Sequence, residues 1–163
     1  MLSMFAFLFA LVQVDAGKPI PSTVVTATDI QTTTRVGDTP IRTVEAGGHH
    51  VGVALVRRLK ATNLAGGSSH TKVTEVYHIL EGVGTLVTGG MQVSPKTRDS
   101  NRGEGIAGPS IGGTTIQGGV SRRIAKGDVV IIPAGTPHLW TEIEQDVLYI
   151  VVRVDPNRFI PLK

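Results

Sequence analysis

The 163-residue chain contains no cysteine. That excludes disulfides, thiolate-bound zinc, iron–sulfur clusters and a cysteine nucleophile. Aromatic residues make up only 4%, with a single tryptophan, so large core anchors are few and no stacking platform for bases exists. The net charge is +3 and the pI about 9.5, but the densest basic features are the pairs Arg57-Arg58 and Arg122-Arg123. Without a basic stripe interleaved with aromatics, this is a mildly basic surface rather than a nucleic-acid interface. There is no Asn-x-Ser/Thr sequon. The longest apolar run, Met4 to Val12, is too short to span a bilayer.

What is present points to β structure. Hydrophobic residues make up 40% and charged residues 18%, which suits one folded domain of this length. Twenty glycines and nine prolines supply many turns. No segment keeps helical periodicity over three turns. Residues 1–16 (MLSMFAFLFALVQVDA) resemble a secretory leader, with small or apolar residues before a cleavage point after Ala16. The expectation is a secreted or periplasmic protein with no membrane attachment after cleavage. An uncleaved anchor or a misplaced start are the competing readings, since no Lys or Arg precedes the apolar run. Residues 17–45 are polar and Thr-rich and read as an N-terminal arm or edge strand, and residues 46–160 as the domain proper.

Strands are expected at 51–57, 74–80, 85–88, 114–117, 121–125, 129–133 and 147–154, from alternating or continuous apolar runs bounded by turn residues. Glu81-Gly82-Val83-Gly84 reads as a hairpin turn between two of them. Residues 94–113 have loop composition throughout, and read as a long insertion that is either a surface excursion or a lid. Eight or so short strands imply an all-β sandwich or barrel.

Two segments carry chemistry. In the first, His70 precedes a strand that begins with Glu75, and both can converge on one metal ion. Strand alternation puts Glu75, Tyr77 and Ile79 on one face and Val76, His78 and Leu80 on the other. If Glu75 points inward, His78 points away and is a buried or interfacial histidine rather than a ligand. The odd spacing from His70 to Glu75 requires His70 to lie on a loop or bulge. In the second, the apolar strand 129–132 runs into Pro133-Ala134-Gly135-Thr136-Pro137 and delivers His138. Two prolines and a glycine make a rigid turn, which lowers the ordering cost of metal binding.

At these residues the chain resembles the small single-domain cupins. Gly127, Pro133, Gly135 and His138 stand at the spacing of the family's second motif, and His70, Glu75 and Gly82 fit the latter half of the first. The match covers roughly residues 51–156. The resemblance implies a single cupin-type β-barrel, a double-stranded β-helix or jelly roll, which often binds one divalent metal through three histidines and a glutamate. Here the first motif's leading histidine is replaced by Ser68, and the terminal Asn of the second by Glu142. His70, Glu75 and His138 are left as a two-His, one-carboxylate set for Fe, Mn, Zn or Ni, with positions open for substrate or O₂. Either His49 or His50 is a candidate replacement ligand, or else a rim residue. Ser68 is a poor metal ligand, better suited to holding a water.

Two functions follow. One is a metal-dependent enzyme on a small molecule, of the dioxygenase type, with Tyr77 as hydrogen-bond donor or acid/base and Gln117 or Arg122 lining the barrel. The other is a non-catalytic binder of a sugar or small acid, with a degraded metal site. Fold alone does not choose between them. The family resemblance also suggests a homodimer, with residues 23–34 as an exchanged strand.

Overall fold

The computed structural model describes residues 21–31, 36–98 and 106–163. The expected leader, 1–16, lies outside them. The described chain is one five-residue helix, α1 (Ala27–Gln31), and eleven strands. The strands are β1 (Gly37–Glu45), β2 (His50–Arg58), β3 (Ser68–His70), β4 (Thr74–Thr88), β5 (Met91–Val93), β6 (Lys96–Arg98), β7 (Ser110–Gly112), β8 (Thr115–Gln117), β9 (Val120–Ala125), β10 (Val129–Ile132) and β11 (His138–Asp155). The all-β fold expected from the strand pattern, and the jelly-roll barrel that the resemblance implies, are what the structure shows.

Nine strands form one curled antiparallel sheet, in which β11 is central. It pairs with β4 along nearly its whole length and with β2 over residues 147–155. The far edge of β4 is shared by β10 and β9, while β3, β7 and β6 extend the sheet from the start of β11. The inner faces enclose Ala54, Val56, Tyr77, Ile79, Leu86, Ile124, Ile132, Trp140, Ile143, Val147, Tyr149 and Val151. Aromatics are few, so branched aliphatics fill this core and three of the aromatic rings stack together: Tyr149 lies 4.6 Å from Tyr77 and 6.0 Å from Trp140 between centroids.

Four expectations are corrected. Residues 81–84 do not turn. β4 runs unbroken through them, because the glycines serve close approach rather than chain reversal. A Cβ on Gly84 would lie 2.6 Å from the Glu142 carbonyl oxygen, and one on Gly82 2.6 Å from the Asp146 carbonyl carbon. The pairing with β11 is irregular over this stretch, and bulges carry the bend. Residues 94–113 are not loop throughout, since β6 and β7 pair with each other inside them, with 99–105 outside the described residues. Within 23–34, residues 27–31 form a helical turn rather than a strand. The Thr26 hydroxyl accepts the Asp29 N–H at 3.2 Å, and the Asp29 carboxylate accepts the Thr26 N–H at 2.8 Å, a reciprocal cap. Finally, His78 points away from Glu75 as expected, but it is exposed on the outer face and not buried within the chain.

Candidate metal centre

The inner face of the sheet delivers the site. Glu75 and Tyr77 alternate inward on β4 and are almost fully buried. His70 ends β3, and the chain breaks from strand geometry at 71–73 before β4 begins. That break resets the alternation, so His70 and Glu75 face the same cavity despite their odd spacing. His70 thus sits at a strand end, not on the loop or bulge expected. His138 opens β11 directly opposite Ser68. The Pro133–Pro137 turn between β10 and β11 is clasped to β3, with the Gly135 N–H donating to the His70 carbonyl at 2.8 Å. Gly135 adopts φ +82°, a conformation that favours glycine. The turn therefore fixes both histidines relative to each other.

The three side chains form the one group of at least three His, Asp or Glu residues in metal-holding proximity among the described residues, their ligand atoms lying within 4.8 Å of one another. Glu75 Oε2 is 3.7 Å from His70 Nε2 and 3.5 Å from His138 Nε2. Two ligands each about 2.1 Å from a tetrahedral ion would stand roughly 3.4 Å apart. His138 Nδ1 faces the Thr136 carbonyl at 3.1 Å, so the proton belongs on Nδ1 and the lone pair on Nε2. His70 Nδ1 is buried with no partner. An unpaired ring nitrogen is costly to bury unless a bound group reaches that nitrogen. Burial lowers both histidines below their ordinary range, keeping them neutral as metal ligands must be. Burial would raise the Glu75 carboxyl, but His70, which is charged by the acidic pH at which Glu75 titrates, and Arg153 outweigh it and hold it at about 2. Two neutral imidazoles and one ionised carboxylate fit a divalent cation.

Glu75 is also engaged by the protein. Arg153, nearly buried, stands opposite it on β11 and donates Nε–H to Oε1 at 2.9 Å. The same guanidinium pairs with Asp38 on β1 and donates to the Ile106 carbonyl at 3.0 Å. The Tyr77 hydroxyl donates to Glu75 Oε2 at 2.8 Å. Burial first, and the Glu75 charge second, raise this phenol well above 10, so it keeps its proton. Tyr77 is both core packing and a polar contact of the site.

The cavity holds about 270 Å³ and its wall includes Arg58, Arg98, Ser68, Tyr149 and Trp140. The Arg58 Nε–H reaches the Tyr149 hydroxyl at 3.1 Å, and Arg98 Nη1 donates to Ser68 Oγ at 2.8 Å. Gln117 and Arg122, expected as barrel lining, are exposed and do not border this cavity. His50 does not replace a ligand. It is buried elsewhere, with Nδ1 2.6 Å from the Ile160 carbonyl, and neither it nor His49 joins the cluster. Glu142 is exposed. The residues that sequence reasoning missed are Arg153, Asp38, Arg58 and Arg98. For Arg153 a signal existed: it falls in phase with Val147, Tyr149 and Val151.

The Cupin family pattern matches residues 41–162. Among solved structures, a Bacillus halodurans protein is 18% identical, with a TM-score of 0.48 over 83% of each chain. A Thermotoga maritima predicted oxalate decarboxylase is 17% identical, with a TM-score of 0.42 over 82% of this chain and 99% of that one. The DMSP lyase DddQ of Ruegeria pomeroyi is 18% identical, with a TM-score of 0.40, over 69% of this chain and 47% of that one. No curated protein matches in sequence. The family match covers most of the chain, and the chain belongs to the cupin family.

Proposed function

We propose that this cupin is a metal-dependent enzyme acting on a small molecule, an oxidoreductase of the dioxygenase type, with His70, Glu75 and His138 holding the ion. The observation that carries the reading is the convergence of two neutral histidines and one ionised carboxylate on a common point. A two-His, one-carboxylate set supplies Lewis acidity with open positions, and with iron a redox-capable centre. The chain's own residues do the rest. Arg153 and Tyr77 hold Glu75 from opposite oxygens, the Pro133–Pro137 turn orients His138, and the aromatic wall of Tyr77, Tyr149 and Trp140 keeps water from the inner end.

The test is metal content of untagged protein by mass spectrometry, beside Glu75→Gln and His138→Ala. Near-stoichiometric metal lost in both variants supports the site, and iron together with oxygen uptake supports the reaction class. Wild type that stays metal-free after reconstitution overturns it.

A second reading, a binding barrel with a lapsed metal site, is favoured by one observation. Both Glu75 oxygens already accept protein hydrogen bonds, so the carboxylate is satisfied without a cation. The same metal measurement separates the two.

A homodimer is also proposed. Val53, Val152, Val76 and Ile131 stand in one cross-strand row on the outer face, and Ile131 is 68% exposed and Val129 59%. Sedimentation should give a dimer, and Ile131→Lys a monomer. The apolar run in residues 1–16 supports export as the setting.

A further inference from the structure

We propose that the ligand of this cavity is a small carboxylate and that Arg98 selects it. The proposal rests on reading the cavity as a ligand site and deepens that reading by choosing an acid over a neutral sugar.

Two carboxylates, Glu75 and Asp38, border the cavity with three guanidiniums, Arg58, Arg98 and Arg153. Both carboxylates pair with Arg153. No described carboxylate pairs with Arg58 or Arg98. The wall therefore carries surplus positive charge, and a bound divalent ion would add to it. An anionic ligand balances that charge; a neutral one leaves it unanswered.

The second observation is how Arg98 is held. Ser68 faces the cavity beside the metal group, being two residues from His70 on β3 and opposite His138 on β11. It occupies the corner where the cupin motif has its leading histidine. Arg98 crosses from β6 and donates Nη1–H to Ser68 Oγ at 2.8 Å, with Nη2 3.5 Å from the Gly67 carbonyl. The side chain lies directly over Gly112 of β7, where a Cβ would stand 2.8 Å from both Arg98 Cζ and Nη2. Gly112 does not adopt positive φ, so its lack of a side chain serves the arginine and not a turn. Arg98 is exposed while bordering the cavity, so the N–H groups that Ser68 and Gly67 do not take are donors that a carboxylate can accept. Arg58, tied at Nε to Tyr149, is the second cation for the same ligand. A cavity of about 270 Å³ stands just under the roughly 300–1,000 Å³ of drug-sized ligand sites, so the acid is small.

The experiment follows backbone amide chemical shifts of the full chain during titration with propionate and with its neutral counterpart propionamide. It is run once with chelator and once after Zn²⁺ loading. The expected result is propionate binding with propionamide at least tenfold weaker. Arg98→Gln should weaken propionate at least tenfold, Arg98→Lys should recover part of the loss, and Gly112→Ala should weaken it too, with Zn²⁺ content unchanged in all three. Absent propionate binding, equal binding of acid and amide, or an Arg98→Gln variant that binds as wild type overturns the proposal. If no Zn²⁺ binds but acid is still preferred, this proposal stands and the metal reading falls. If Zn²⁺ binds without that preference, the reverse holds.

Discussion

Arg153 and Glu75 face each other across the β11–β4 ladder, and the arginine Nε–H meets Glu75 Oε1 at 2.9 Å with both side chains nearly excluded from water. A pair buried this deeply is held less for net stability than for the consequence of losing half of it. Asp38, on the opposite side of the guanidinium, makes the cation bridge two strands, β1 and β4. The charge that could bind a metal is therefore also the anchor of a structural ion network.

Replacing Arg153 by Met leaves Glu75 buried and uncompensated. The expected loss in the metal-free protein is about 3–5 kcal/mol by urea denaturation. Arg153→Met combined with Glu75→Gln should recover most of it. If a cation binds at Glu75, added Zn²⁺ should also restore stability to the single variant, because the ion supplies the missing positive charge. Equal stability of Arg153→Met and wild type would contradict this account.

Tyr77→Phe removes one donor to a charged acceptor while keeping the ring stacked on Tyr149. The expected cost is roughly 1.5–3 kcal/mol. The wild type gives a second readout. Its only two tyrosines, Tyr77 and Tyr149, are both raised above 10 by burial, so the native protein should show no tyrosinate absorbance step at the ordinary phenol pKa. A normal step would show that these rings are hydrated.

The inward face of β4 was legible because Glu75, Tyr77 and Ile79 share one side of a strand whose side-chain period is two, whereas the facing of Gln117 and Arg122 was not. His70, Glu75 and His138 were legible because their spacing is enforced locally, by a strand start and a proline-bound turn. Arg153 escaped because an arginine inside an apolar run looks like a surface residue until its phase is compared with Val147, Tyr149 and Val151. Asp38 and Arg98 escaped because they reach the cavity through pairings distant in sequence: β1 with β2, and β6 with β7. The error at 81–84 has a related cause. Glycine is needed both where a chain turns and where another backbone presses on it, and local sequence does not separate the two.

That distinction is testable at Gly82. It has φ +81° and its missing Cβ would fall against the Asp146–Val147 backbone of β11. Gly82→Ala meets both strain and a clash with main chain that cannot move aside, so it should cost more than the roughly 1 kcal/mol expected of glycine replacement for strain alone. Gly127→Ala is the control, since it shares a positive φ but meets nothing within 4 Å. Thermal unfolding should rank Gly82→Ala clearly below Gly127→Ala. Equal melting temperatures would mean that β11 does not press on β4 there.

Acid should unfold the metal-free protein in two stages, both of the same sign. His70 and His138 have folded pKa values depressed below 6.5 by burial, so as pH falls through 6.5 the unfolded chain takes up protons that the folded chain refuses. Stability must drop over that window. Glu75 is depressed from 4.5 to about 2, so its contribution is fully present above pH 4.5 and is lost as pH falls toward 2. A shift of that size in a side chain 1% exposed corresponds to about 3 kcal/mol. Urea denaturation with chelator, from pH 8 to pH 3, should show stability falling from near pH 6.5 and falling again below pH 4.5. His138→Gln should remove part of the upper stage and also shrink the lower one, because the charged His138 helps hold Glu75 down. Glu75→Gln should remove the lower one. A profile flat between pH 7 and 5 would mean that the two imidazoles are exposed to water or already charged, and neither is compatible with a buried pair poised to bind a cation.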